Sequence, residues 1–227
     1  MALSDGRVVT AHVPNTGSMA TCWRPGAPVQ LTHSDNPRRK LAWTLERVDM
    51  GQGWIGVHTA RPNQVMAEAI AAGRVPALAG YRTVRTEVRF AADTGEQGRL
   101  DIALGDGGGP DGCPRSPDVL VEVKNVTLLE GARLCFPDAR SERARKHLGL
   151  LAGAVRQGLR GVMLFALNRP EGEVFAPAWE IDPAYAEALR AAAAAGVEII
   201  ALRMVHEPGA IVTGAPVPVD LAPPIAQ

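Results

Sequence analysis

The chain has 227 residues, of which 46% are hydrophobic and 21% charged, so it predicts one large or two small soluble globular domains and excludes wholesale disorder. Lys plus Arg and Asp plus Glu number 24 each, and this zero net charge alone argues against a strongly basic nucleic-acid binder. The charges are unevenly distributed, because residues 1–160 carry a net +5 and residues 161–227 a net −5. The zero sum therefore conceals a basic region large enough to bind an anionic partner.

Bulk features also limit the location of the protein. No apolar run approaches the roughly 20 residues that span a bilayer, and the N-terminus lacks the pattern of a secretory signal. Cys22, Cys113 and Cys135 are odd in number and widely spaced, which indicates neither a disulfide framework nor a zinc site. We therefore expect a cytoplasmic protein with no membrane partner, and the oligomeric state is left open, with a dimer as one option.

Short β-like runs separated by turn signals fill the first third of the chain. They are Arg7–Val13, Pro28–Ser34, Leu41–Val48 and Trp54–Thr59. Runs at this spacing predict a small β-barrel or sandwich, although four strands are too few to close a barrel comfortably.

From residue 62 the predicted order is helix, three strands, helix, strand, helix, strand. The helices are Asn63–Ala72, Asp138–Gln157 and Pro183–Ala195, and the strands are Tyr81–Phe90, Gly98–Leu104, Val119–Val126, Gly161–Leu167 and Val197–Val205. This order predicts an α/β fold, in which a mixed sheet carries helices on its faces. The Gly- and Pro-rich segment 105–118 predicts an irregular loop, and the boundary near residue 60 predicts domains 1–60 and 61–227.

Charged side chains recur on one face of the three central predicted strands, because side chains alternate across a strand. Leu100, Ile102 and Leu104 are expected on one face of their strand and Asp101 on the other. The same alternation on the neighbouring strands predicts a polar cluster of four residues. They are Glu87, Asp101, Glu122 and Lys124.

Such a cluster on a covered sheet is costly unless its charges are paired or hold a metal ion. Carboxylate oxygens suit Mg²⁺, and a lysine beside them can activate a water or stabilise charge on a phosphate. The pattern Asp101…Glu122-x-Lys124 therefore favours phosphodiester hydrolysis, although a Glu-x-Lys on a strand is more often a solvated face. Glu68, in the preceding predicted helix, is a further candidate acid, or else an exposed helical residue.

Three segments are candidates for binding nucleic acid. The start of the predicted helix Asp138–Gln157 is basic and could contact phosphates or form a solvated face, and His147 could equally be a packing residue. Its candidate residues are Arg140, Arg143, Lys146 and His147.

The other two segments lie in the first domain. Asn15, Thr16 and Ser18 belong to a tight loop that could hold an anion. A basic run precedes Trp43, and stacking of bases on tryptophan is a device for binding single strands, although at least two of the three early tryptophans are expected in the core. The basic residues are Arg38, Arg39 and Lys40, and the tryptophans are Trp23, Trp43 and Trp54.

The chain resembles the sugar fermentation stimulation protein family from about His12 to the Pro-rich tail. The matching segments are PNTGSM, SDNPRRKLAWTLERV, WIGVHTARPNQVMAEAI, GYRTVRTEVRF, RLDIAL, VEVKNVTL and FPDARSERARKHL. The resemblance implies an N-terminal OB-like domain and a C-terminal restriction-endonuclease-like domain of the PD-(D/E)xK type. It also implies nonspecific binding of DNA, which we expect to be double-stranded, and a regulatory role in sugar metabolism.

By the same resemblance, Asp101 matches the first acid of the nuclease signature, and Glu122 with Lys124 matches the E-x-K. Glu87 or Glu68 would be the additional acid, and Mg²⁺ the cofactor. The alternatives are a DNA-binding regulator with a vestigial nuclease site and a domain that binds a small molecule or a protein. Because family members begin with a further basic, aromatic segment, we expect the OB-like domain to lack its first strand, through truncation or a mis-assigned start.

Overall fold

The computed structural model of the chain describes residues 1–106 and 117–224. Cys113 and most of the predicted irregular loop lie outside the described residues, as does the end of the Pro-rich tail. No helix in the described part is both long and apolar enough to cross a membrane.

The N-terminal domain is a four-stranded sheet in which one central strand pairs with the other three. They are β1 (Ala11–His12), β2 (Val29–His33), β3 (Trp43–Asp49) and β4 (Trp54–Gly56). β3 pairs antiparallel with β2 along one edge; along the other edge it pairs parallel with β1 and antiparallel with β4. The predicted strand Arg7–Val13 is confined to its last residues, because the chain before it folds back and pairs Ala2 with Val8.

In its described residues the C-terminal domain has three α-helices and nine strands, in the chain order α1, β5–β9, α2, β10, β11, α3, β12 and β13. Their bounds are α1 (Arg61–Ala71), β5 (Thr83–Ala91), β6 (Gln97–Gly105), β7 (Val119–Val126), β8 (Leu128–Glu130), β9 (Arg133–Phe136), α2 (Glu142–Arg156), β10 (Arg160–Leu167), β11 (Val174–Pro177), α3 (Pro183–Ala194), β12 (Glu198–Glu207) and β13 (Ala210–Pro216). Six strands form the main sheet in the order β13-β12-β10-β7-β6-β5. β7, β10 and β12 run parallel and the outer pairs antiparallel, which confirms the predicted mixed sheet.

A small second sheet, which the sequence pattern does not predict, is formed by β8, β9 and β11. These strands are three or four residues long, too short for an alternating pattern to stand out. The start of α2 was also placed too early. Ser141 caps the helix by accepting a hydrogen bond from the Ala144 N–H, so Arg140 lies before the helix rather than in its first turn.

Helices cover both faces of the main sheet and bury it. On one face Met66 and Ile70 of α1 pack on Val121 and Leu164. On the other face α2 and α3 cover the sheet, and Leu151 of α2 packs in the same core. Each such buried side chain contributes roughly 1.5–3 kcal/mol of transfer free energy, so β7 and β10 are fixed from both sides.

The alternation of side chains along β6 breaks at Asp101. Ile102 and Leu104 pack on the α1 side of the sheet, whereas Leu100 packs on the α2 side. The expectation that all three share one face is therefore wrong.

The cause lies on the neighbouring strand β5. Glu87 has a φ of +57°, in the left-handed region that residues other than glycine rarely adopt. Strand pairing holds on either side of this residue, and Val84 faces α1 while Val88 faces α2. The left-handed backbone at Glu87 therefore reverses which face of the sheet the side chains of β5 and β6 occupy on either side of Asp101.

Polar groups join the two domains. Asn168 accepts the Gly56 N–H on its carbonyl oxygen at 2.8 Å, and its side chain donates to Asn125 at 2.9 Å and contacts His206 Nε2 at 2.6 Å. Nearby, the buried Arg169 donates to the carbonyl oxygens of Thr127 and Thr21. The first domain thus docks on the ends of β7, β10 and β12.

His206 makes the stability of this junction depend on pH. Burial, and then the charge of Arg47, lowers the pKa of His206 from 6.5 to about 4. The unfolded chain therefore gains a proton first, so this contribution is complete above pH 6.5 and is lost as the pH falls towards 4. We expect a loss of about 1–2 kcal/mol after allowing for partial exposure, measured by urea unfolding. His206→Gln should flatten this part of the profile, and the exposed control His12→Gln should not.

Two glycines of α2 offer a matched test of packing. A Cβ on Gly153 would lie 2.5 Å from the Ala92 Cβ, whereas one on Gly149 would meet only the mobile end of Glu96, at 2.9 Å. We expect Gly153→Ala to lower the free energy of unfolding by about 1–3 kcal/mol through overpacking. Gly149→Ala should raise it by about 0.5–1 kcal/mol through reduced chain entropy. Urea denaturation measures both, and equal effects would contradict this packing.

Candidate functional site

The side chain of Asp101 lies where β6 and β7 separate. Ile102–Leu104 of β6 pair with Val119–Val121 of β7, and beyond that point the Asp101 carboxylate replaces the backbone hydrogen bonds between the strands. Its Oδ2 accepts the Val123 N–H at 2.8 Å, and its Oδ1 accepts from Asn63 Nδ2 at 2.6 Å. Asp101 therefore bridges β6, β7 and α1 and holds open a gap between two strands.

Glu122 lies at the bottom of this gap, with only 2% of its side chain exposed. Its Oε1 accepts from Lys124 Nζ at 2.5 Å and contacts His147 Nδ1 on α2. Its Oε2 is buried and has no hydrogen-bond partner in the described part of the chain. Since a buried carboxylate oxygen without a partner is costly, this atom is suited to a cation.

The two acids ionise differently. Burial, and then the charge of Glu122, raises the pKa of Asp101 to about 7. Burial also opposes ionisation of Glu122, but the hydrogen bond with His147 and the charge of Lys124 outweigh it and lower the pKa of Glu122. At neutral pH the site therefore holds one ionised carboxylate, Glu122, and one carboxyl group, Asp101, that is close to its pKa.

The cleft above these residues has a volume of about 350 Å³ and is walled by both domains. Asn15, Thr16 and Gly17 form one wall, and Arg140 and Arg143 lie on another. A Cβ on Gly17 would lie 2.2 Å from Asp138 Oδ2, so only glycine lets the first domain approach so closely.

The structure divides the predicted polar cluster. Asp101, Glu122 and Lys124 share the cleft, whereas Glu87 lies in a second cleft with Glu68. Asp101 and Asn63 line both clefts, so they adjoin. Across the residues that the structure describes, no three His, Cys, Asp or Glu side chains form a preformed metal cage.

Glu68 and Glu87, the two glutamates of the second cleft, are exposed and already have partners. Glu87 pairs with Arg99 at 3.3 Å, and Glu68 accepts from Gln64 at 2.9 Å. A role for either as the additional catalytic acid stays a prediction.

The candidate DNA contacts on α2 separate into two groups. Arg140, Arg143 and Lys146 are exposed, as a phosphate contact requires, whereas His147 is buried against Glu122. Of the two alternatives for His147, a phosphate contact or a packing residue, its position favours the second, because it faces the core beside Leu148. Its spacing from Ala144 and Leu151 was the available signal.

In the first domain, Arg38, Lys40, Thr16 and Ser18 are exposed. Arg39 is half-buried and donates to Thr44 Oγ1, and the Asn15 side chain shapes its own loop by accepting the Gly17 N–H at 2.8 Å.

The tryptophans do not form a core, contrary to expectation for at least two of them. Trp23 is 46% exposed, Trp43 packs edge-on against His33, and Trp54 lies under Arg47. Smaller side chains, including Leu45 and Val48, fill that core instead.

An OB domain joined to a mixed sheet that carries an aspartate and a Glu-x-Lys defines a two-domain protein of the restriction-endonuclease-like (RE) class. Family models agree over nearly the whole length: the SfsA N-terminal OB domain matches residues 1–57 and the sugar fermentation stimulation protein RE domain matches residues 60–210. The chain belongs to the sugar fermentation stimulation protein family.

Individual members of this family are similar to the chain in sequence and in structure. Sugar fermentation stimulation protein homologs of Geotalea uraniireducens and Acidithiobacillus ferrooxidans are 49% and 48% identical to the chain. The alignments cover 88% and 89% of this chain and 82% and 83% of those proteins. The structure of Pyrococcus furiosus SfsA in complex with Ca²⁺ superposes with a TM-score of 0.79 at 26% identity, over 94% of this chain and 87% of that one.

Asp101→Asn should stabilise the protein. Because the pKa of Asp101 is raised to about 7, ionising it costs stability, which accumulates as the pH rises from about 4 to 7 and persists above. We expect the variant to be more stable by about 2 kcal/mol at pH 8, and by less at pH 5, in urea unfolding with EDTA. Asp93→Asn is the control, since that exposed acid pairs with Arg156 and its loss should not stabilise. A destabilised Asp101→Asn at pH 8 would contradict this assignment.

Proposed function

We propose that the protein binds DNA and carries a Mg²⁺-dependent phosphodiesterase site of the nuclease type. The observation that carries this proposal is the buried Glu122 Oε2, which lies beside Asp101 and Lys124 and has no hydrogen-bond partner among the described residues. The P. furiosus relative is described in complex with Ca²⁺, which like Mg²⁺ takes oxygen ligands. DNA and free Mg²⁺ both occur in the cytoplasm, where we place the protein.

Each residue of the cleft has a role in this proposal. Asp101 and Glu122 would hold the metal ion, which when bound supplies Lewis acidity and a more acidic water. Lys124 places its ammonium group where negative charge develops on a phosphate. Arg140, Arg143 and Lys146 are exposed beside or near the cleft and would hold the flanking phosphates.

The first domain supports a nucleic-acid partner. Its loop residues Asn15 and Thr16 wall the cleft, and the exposed Arg38 and Lys40 extend the basic surface away from it. Bound DNA would thus contact both domains at once.

A second candidate is a DNA-binding regulator of sugar metabolism with a vestigial nuclease site. The tight pairing of Lys124 with Glu122 favours it, because a lysine held at 2.5 Å competes with a cation for that carboxylate. In this case DNA binding survives in the absence of any cleavage.

Nicking of supercoiled plasmid distinguishes the two. With Mg²⁺ we expect wild-type protein to convert supercoiled to open-circular plasmid, and Asp101→Asn and Lys124→Met to lose at least about 100-fold in rate, since each removes a group from the reacting centre. Gel densitometry over time measures the conversion.

EDTA and the variant Asp93→Asn are the controls, the first abolishing nicking and the second leaving it intact. Equal nicking by wild type and Asp101→Asn would refute the catalytic proposal. Binding of DNA by both, with no nicking by either, would favour the regulator.

A further inference from the structure

Two arginines face each other on neighbouring strands outside the cleft. Arg89 of β5 and Arg99 of β6 are directly opposite in the antiparallel ladder. Both are exposed, and 54% of the Arg99 side chain is accessible. Like charges in directly opposed positions repel each other, so this arrangement costs stability unless an anion is nearby.

The protein supplies only part of the compensating charge. Glu87 pairs with Arg99 at 3.3 Å, and among the described residues Arg89 has no ion-pair partner. Protection of a sheet edge by charge would account for Arg89, since β5 is an outer strand. Arg99 lies on the part of β6 that extends beyond its pairing with β7, so protection of an edge would account for either arginine singly, but not for two cations placed directly opposite each other.

The reversal at Glu87 sets the direction in which the two arginines point. Beyond it, Val88, Phe90 and Leu100 pack on the α2 side, so the intervening Arg89 and Arg99 face the side of α1. This is the side on which Asn63 of α1 meets Asp101. The left-handed backbone conformation of Glu87 thus directs Arg89 and Arg99 towards the edge of the candidate site.

A continuous surface leads from the site to this pair. The second cleft shares Asp101 with the first and ends at Glu87, the partner of Arg99. Arg99 lies two residues before Asp101 along β6, which corresponds to about 7 Å. Because Glu68 and Glu87 make the second cleft itself acidic, a phosphate would be held beyond it, at the arginines.

We propose that Arg89 and Arg99 clamp a backbone phosphate of DNA on the far side of Asp101 from Arg140 and Arg143. This proposal rests on the proposed DNA binding and specifies its path. The strand enters past the start of α2, crosses Asp101 and leaves over the end of the β5–β6 hairpin.

Equilibrium binding tests the clamp without catalysis. A short labelled DNA duplex is titrated in EDTA at several salt concentrations and followed by fluorescence anisotropy. For the double variant Arg89→Gln, Arg99→Gln we expect affinity to fall about tenfold at low salt. The magnitude of the slope of log affinity against log salt should fall by about 0.9, the value for the one phosphate that the two arginines share.

Arg190→Gln is the matched control, since Arg190 is also exposed and pairs with a glutamate, Glu187, at 3.4 Å. It should change affinity less than twofold. Glu87→Gln should tighten binding because it releases Arg99, and its control Glu187→Gln should not.

The outcomes separate the two proposals. Wild-type protein that binds no duplex at low salt would refute DNA binding itself. Wild-type binding with the double variant indistinguishable from Arg190→Gln would refute the clamp alone. The single variant Arg89→Gln guards against misfolding, since it removes no ion pair; unchanged affinity and salt slope in this variant would also count against the clamp.

Discussion

The hydrogen bond from the Val123 N–H to the Asp101 carboxylate determines where the candidate site can exist. β6 and β7 pair through their backbones only as far as Ile102 and Val121, and beyond that point a side chain takes the place of the ladder. A backbone group left unpaired at this depth would be costly, so the acid satisfies the strand while it keeps the gap open. The cleft that Lys124 lines and the contact with Asn63 both follow from this replacement of backbone pairing by a side chain.

Two neighbouring helices adjust the chemistry of this gap from outside it. α2 brings His147 to Glu122, and its own start is fixed by Asp182, which caps α3 and accepts hydrogen bonds from the Ser141 N–H and Arg145. The buried Asp182 thus aligns two helices with one carboxylate, although it lies outside the cleft. A substitution of Asp182 would shift the start of α2 and with it His147, and so would change the hydrogen bonding of Glu122.

The sequence was sufficient for the regular part of the fold and for the residues that share the main cleft. The strong alternation and apolar run of Val119–Val126 placed Glu122 and Lys124 on one face of a central strand, as the structure shows. It was insufficient where one backbone conformation overrides a pattern. Nothing in the letters around Glu87 indicates a left-handed residue, so the reversal that separates Glu87 from the cleft and moves Leu100 to the other face was missed. For His147 the sequence left two alternatives open, because the basic run around it favours exposure whereas its helical spacing places it among core residues.

The docking of the two domains constrains how this protein can change. The Gly56 N–H is satisfied by Asn168, Arg169 donates to Thr21, and Gly17 lies against Asp138, so each domain completes the hydrogen bonding or the surface of the other. An OB domain taken from an unrelated protein would bring neither the glycine nor the matching carbonyl groups. A change on either side of the junction would therefore leave groups on the other side without their partners.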